Sequence, residues 1–164
     1  HRVDRRQRQM CIRDRLYACG LREQEGADAD VSDLYQRYKG EPALRVPKGK
    51  GSVKRLVVYG IMWRYIETYV ETWLESQGIT SGRVLRSFAP GSGLLMPSIS
   101  VDTIQRTVNL WVGCNPHDLR RSYAKNMYDG GMDIEALRQQ LGHKSADTTR
   151  RYIGELDARD RTPR

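Results

Sequence analysis

The 164 residues carry 28 Lys and Arg against 20 Asp and Glu, a formal net charge of +8 and a pI near 9.6. That length suits one domain with a buried core, and the basic balance favours a polyanionic partner, nucleic acid ahead of a membrane surface. No apolar run approaches the ~20 residues of a membrane span, no apolar segment follows the charged N-terminus as a secretory signal requires, and Cys11, Cys19 and Cys114 form no C-x-x-C pair, which points to a reducing, cytoplasmic setting rather than a disulfide framework.

Residues 1–15 are dense in charge and lack apolar spacing, so they read as a frayed basic segment or as an arm touching phosphates. Residues 16–25, LYACGLREQE, set Arg22 and Glu25 one helical turn apart, where Glu25 can orient Arg22. Gly20 just before them signals a close approach or a special backbone angle. Residues 26–34 read as a polar, acidic connector. Branched residues at 43–46 and 54–58 flank PKGKGS and predict a β-hairpin with Lys48, Lys50 and Lys54 around its tip.

Residues 61–74 predict an amphipathic helix with Met62, Ile66, Tyr69, Val70 and Trp73 as its core stripe. Residues 77–97 are loop-rich, with four glycines and two prolines. Ser100 caps the next helix, whose expected buried stripe is Ile104, Val108 and Trp111 and whose stop is Gly113. Residues 118–128 carry Leu119, Tyr123 and Met127 at helical spacing, ending at Gly130-Gly131. Asp133 caps a helix with Ile134, Leu137 and Leu141, stopped by Gly142. Ser145 caps a third, with Asp147 in its first turn, running toward Tyr152. No internal repeat or second domain boundary interrupts the chain.

The last three helices bring four polar side chains near one another in sequence order. His117 and Arg120 share a helix face, His143 follows Arg120 by 23 residues, and Tyr152 follows His143 by nine. Arginine stays charged and its fork matches two phosphate oxygens. A phenol of pKa about 10 is a weak nucleophile that needs a base or a strong field, and histidine can supply a proton or take one. The set suits attack by tyrosine on a phosphodiester. Cys114, His117 and His143 lack a fourth ligand and the usual spacing, so no metal is expected.

These motifs resemble the catalytic C-terminal half of the tyrosine recombinases, the phage-integrase family. The family pattern H-x-x-R, then L-G-H, then Tyr is matched by His117 to Arg120, by Leu141-Gly142-His143 and by Tyr152. G-L-R-x-x-E is matched at Gly20-Leu21-Arg22 with Glu25, and a G-K-G run at Gly49-Lys50-Gly51. Val84-Leu85-Arg86-Ser87 is similar to a further family stretch before a loop.

The resemblance covers 16–153, most of the chain. It implies an α+β fold, mainly helical, with a small antiparallel β-hairpin or sheet near Lys50. It leaves 1–15 as a basic segment and 154–164 as a short tail of the kind that often packs on a neighbouring protomer. It does not include the family's separate N-terminal DNA-clamping domain. By carry-over, Tyr152 attacks the scissile phosphate, Arg22 and Arg120 clamp its oxygens, and His143 donates to it. His117 takes or relays the tyrosine proton, and Lys50 protonates the leaving 5′ oxygen. The implied partner is double-stranded DNA, held by a homo-tetramer, with no cofactor, no metal, no small-molecule substrate and no membrane.

Two other activities use parts of the same pattern. A type IB topoisomerase relaxes supercoils with nearly the same side chains, although it resembles a lysine where this chain has His117. A non-catalytic regulator would use 133–152 as a helix-turn-helix. A milder possibility is a piece that folds and binds DNA without turning over.

Overall fold

The computed structural model describes residues 19–47, 54–59 and 63–160. Lys50 and the 1–15 segment lie outside the described residues. Helix α1 (Glu23–Asp28) and a 3-10 turn (Val31–Asp33) lead into strands β1 (Gln36–Tyr38), β2 (Glu41–Val46) and β3 (Arg55–Val58). Helices α2 (Trp63–Ser76), α3 (Val101–Val112), α4 (Pro116–Asp129), α5 (Ile134–Leu141) and α6 (Ala146–Asp160) follow.

The last four helices are set by local chemistry at their ends. Ser100 Oγ accepts from Thr103 N at 3.2 Å, and Gly113 ends α3 with φ 74°. Pro116 opens α4, where its missing N–H costs nothing, and Asp118 Oδ2 accepts from Asn115 N at 3.2 Å. The Asp133 carboxylate accepts from Glu135 N and Ala136 N, and Gly142 stops α5 with φ 65°. Ser145 Oγ accepts from Thr148 N at 3.3 Å at the start of α6. Such sharp stops leave only short turns, so α4, α5 and α6 fold back and pack on one another.

The three strands form an antiparallel sheet in the order β1-β2-β3, with Gln36 opposite Ala43 and Leu44 opposite Val57. The expected hairpin is therefore β2–β3. Its β3 edge meets α5, where Val58 N donates to Gln140 Oε1 at 2.9 Å. The core runs through Leu44, Val57, Val70, Trp73, Leu85, Ile104, Leu119, Leu137 and Leu141. Trp73 is fully enclosed and donates from Nε1 to the Val84 carbonyl at 2.9 Å, meeting the polar need of a buried indole.

Two sequence expectations are corrected. Trp111 is 58% exposed rather than part of the α3 stripe; Leu110 and Val112 in the same last turn are exposed with it, while Ile104 and Val108 are buried. Residues 26–34 are not a plain connector. They hold the end of α1, which buries Gly26 and Ala27, and the 3-10 turn capped by Asp30. Both pieces are too short to show a period. Strand β1 is polar and half exposed, an edge strand with no apolar alternation to betray it. Helix α6 also continues to Asp160, so much of the segment read as a tail is helical.

Gly20 shows why a small residue is needed before α1. Its φ is +54°, and a Cβ there would enter the Tyr123 ring. Gly20→Ala is expected to lower stability by about 2–4 kcal/mol, combining left-handed strain with overpacking. Urea denaturation of the two proteins measures it.

Candidate active site

Glu25 is the buried centre of an arginine cluster. Arg22, the residue that precedes α1, donates its backbone N to Glu25 Oε2 at 2.9 Å and its Nη1 to Oε1 at 3.0 Å. Arg55, at the start of β3, grips both carboxylate oxygens at 2.9 Å. Arg120 Nη1 lies 3.8 Å from Oε2. Burial pushes the Glu25 carboxyl up, but the Arg55 hydrogen bonds and charge, with the Arg22 N–H, outweigh it and hold the group at about 2.

Arg120, in the second turn of α4, is 1% exposed. Its guanidinium donates to the carbonyls of Gly20 and Leu141, so two turns of chain and the negative end of α5 hold it in place. Arg22 stands at the edge of the cluster with its side chain 37% exposed, and its charge is felt at both Arg120 and His143. One guanidinium is thus locked and the other borders solvent. A cavity of about 110 Å³ beside them is lined by Leu21, Arg22, Glu23, Pro116 and His117.

His143 follows the left-handed Gly142, and its backbone N donates to Arg138 O at 3.0 Å. Its Nδ1 lies 2.9 Å from Thr149 Oγ1, a fully buried hydroxyl on α6. That contact fixes the ring and directs Nε2 elsewhere. Burial first, then Arg120, Arg22 and Arg55, press its pKa down to about 4. His117 in the first turn of α4 is lowered too, by burial and then by Arg121 and Arg120. Both rings are therefore neutral near pH 7.

An NMR titration is expected to find the His143 imidazole neutral down to about pH 5, where an ordinary histidine of pKa about 6.5 is already protonated. The unfolded chain binds that proton first. This group therefore makes stability fall as pH drops from 6.5 toward 4.

Tyr152 lies in the second turn of α6. Its hydroxyl is 3.0 Å from His117 Nε2, and its ring meets His117 and His143 nearly perpendicularly, with centroids 5.4 and 5.3 Å away. Arg121 lies over the ring at 5.4 Å. Burial raises the phenol pKa, while Arg120 and Arg121 act against that rise.

The structure thus brings Arg22, His117, Arg120, His143 and Tyr152 to one place. Lys50 lies outside the described residues, on the connection between Val46 and Arg55. Three participants escaped the sequence reading. Arg55 closes the lysine hairpin, but nothing in Lys54-Arg55 marks it as buried. Arg121 is masked by its neighbour Arg120. Thr149 looks like one more polar helix residue until packing puts it against His143.

The fold is that of tyrosine recombinase catalytic domains. It matches XerA recombinase with a TM-score of 0.70 at 22% identity, covering 96% of this chain and 60% of that one. It also matches the XerH site-specific recombinase, in a post-cleavage complex with its palindromic difH substrate, with a TM-score of 0.68 at 21% identity over 96% of this chain and 46% of that one.

The phage integrase family model matches residues 4–159, and the chain belongs to that family. Tyrosine recombinase XerC of Bifidobacterium longum strain DJO10A is 31% identical over 156 residues, 89% of this chain and 43% of that protein. The chain therefore spans less than half the length of this relative. Among the described residues no helix is long and apolar enough to cross a membrane.

Proposed function

We propose that this chain is the strand-breaking part of a site-specific DNA recombinase of integrase type. What carries the proposal is the Tyr152 hydroxyl, 3.0 Å from a neutral His117 and beside the locked guanidinium of Arg120. In cleavage, a bond forms between Tyr152 Oη and the scissile phosphorus, and the P–O5′ bond breaks. The phenol proton passes to His117, and the leaving oxygen takes a proton from Lys50. Arg22 and Arg120 clamp the non-bridging oxygens where charge grows, and His143 donates to the same group.

The 3′-phosphotyrosyl link keeps the bond energy. An incoming 5′ hydroxyl reverses each step, and a strand from another duplex completes an exchange. The proposed partners are double-stranded DNA and further copies of the protein, as a tetramer, acting in the cytoplasm without metal or cofactor. We assign the catalytic unit to residues 16–153. A helix-turn-helix regulator would leave the convergence of Arg22, Arg120 and two neutral histidines on Tyr152 without a use.

The test is covalent capture. The protein is incubated with a pool of nicked duplexes carrying randomised inverted repeats, and adducts that survive denaturation are collected. Adducts to 3′ phosphate support the proposal, and their absence with DNA binding retained favours the regulator. Relaxation of supercoiled plasmid without strand transfer to a second duplex favours a topoisomerase.

A further inference from the structure

We propose that Arg121 is a positioning residue for Tyr152, holding its ring in the site and stabilising the charge that its hydroxyl takes on; this rests on the strand-transfer function above. The guanidinium carbon stands 5.4 Å from the ring centroid, over the face. Adjacent residues on a helix diverge by about 100°. Arg120 is turned into the carbonyls of Gly20 and Leu141 and toward Glu25, so Arg121 meets the phenol from a different side.

The titratable and charged groups around that phenol are His117, Arg120 and Arg121 from α4 and His143 from the turn before α6. The two histidines are pressed toward their neutral forms. Among the described residues the positive charge at the hydroxyl comes from the two arginines, and of these two Arg121 lies over the aromatic face.

A cation in that place favours phenolate over phenol. The same bias serves both directions of the reaction. In cleavage the oxygen loses its proton to His117 as the bond to phosphorus forms. In rejoining an incoming 5′ hydroxyl bonds to phosphorus as the Tyr152 Oη–P bond breaks; its proton passes to Lys50, and the phenol oxygen, charged as it leaves, takes its proton back from His117. Arg121 thus acts through Tyr152 rather than on the phosphate.

Arg121→Gln and Arg121→Lys test this. Protein labelled with a fluorinated tyrosine, whose phenol ionises within a range the fold tolerates, is titrated by fluorine NMR. The Tyr152 signal is identified by its absence in Tyr152→Phe. Arg121→Gln is expected to raise the Tyr152 pKa by about one unit, a tenfold change in ionisation, and Arg121→Lys by less. At saturating nicked duplex and neutral pH, covalent capture is expected to fall about 10-fold in Arg121→Gln, with half-saturating DNA unchanged within about 2-fold.

An unmoved titration with weaker DNA binding would make Arg121 a phosphate contact and overturn the proposal. An unmoved titration with unchanged capture would leave it only packing. If Arg121→Gln does not fold, Arg121→Met carries the comparison, and a wild-type titration there overturns the proposal. A shifted titration in a protein that never forms an adduct would sink the strand-transfer function while supporting the hold of Arg121 on the phenol.

Discussion

Tyr152→Phe is expected to reduce covalent capture of DNA to background, a fall of at least ~10³-fold, because the variant has no oxygen to bond to phosphorus. DNA affinity is expected to stay within about 2-fold, since phosphate contacts come from arginine and lysine rather than from the phenol. The fold survives. The ring keeps its contacts with His117, His143 and Arg121, and what is lost is the hydroxyl's polar contacts with His117, at 3.0 Å, and with Arg120 and Arg121, at about 1 kcal/mol each. Gel electrophoresis under denaturing conditions and a binding titration on the same duplex read both quantities. A residual adduct in Tyr152→Phe would mean that another of the nine tyrosines is the nucleophile, and that the 3.0 Å contact has a different purpose.

Glu25→Gln is expected to cost about 3–5 kcal/mol of stability, the largest effect of any single substitution considered for this fold. Arg55, whose side chain is 6% exposed, loses its only carboxylate partner among the described residues and remains a buried charge. The neutral amide cannot answer three guanidinium groups, and Arg22 and Arg120 lose the anion between them. Capture of DNA is expected to fall by about 10²-fold in whatever fraction folds, since misplaced clamps weaken the transition state more than the ground state. Chemical denaturation separates the two effects.

The same carboxylate sets an acid limit. Its folded pKa is about 2 against an ordinary value of 4.5, so its contribution is complete above 4.5 and is lost as pH falls toward 2. The difference corresponds to about 3 kcal/mol. In Glu25→Gln that part of the acid dependence disappears, which a series of urea titrations between pH 5 and 3 resolves.

Helix ends were the most legible feature of the chain. Ser100, Asp133 and Ser145 cap, and Gly113 and Gly142 stop, because a side-chain oxygen three residues from a free N–H and a residue without Cβ act within a single turn. The β2–β3 hairpin was legible for the same reason, from branched runs about a glycine-rich turn. Edge strand β1 and helix α1 were not, since each is too short or too polar to carry a period. Trp111 had the period of a core residue and lies on the surface, because periodicity names a face and not what stands opposite it.

By itself the amino-acid sequence determined the order of the longer helices and of the β2–β3 hairpin, and the separations of Arg22, His117, Arg120, His143 and Tyr152 along the chain, since those follow from local bonding and chain distance. It could not determine that Glu25 joins three arginines, that Arg55 belongs among them, that Thr149 seats His143, or that Arg121 covers the ring of Tyr152. Those contacts join residues from different elements, often far apart in the chain. Only the packing of α4, α5 and α6 against one another and against the sheet sets which side chains meet, which charges are buried together, and so which proton states they hold.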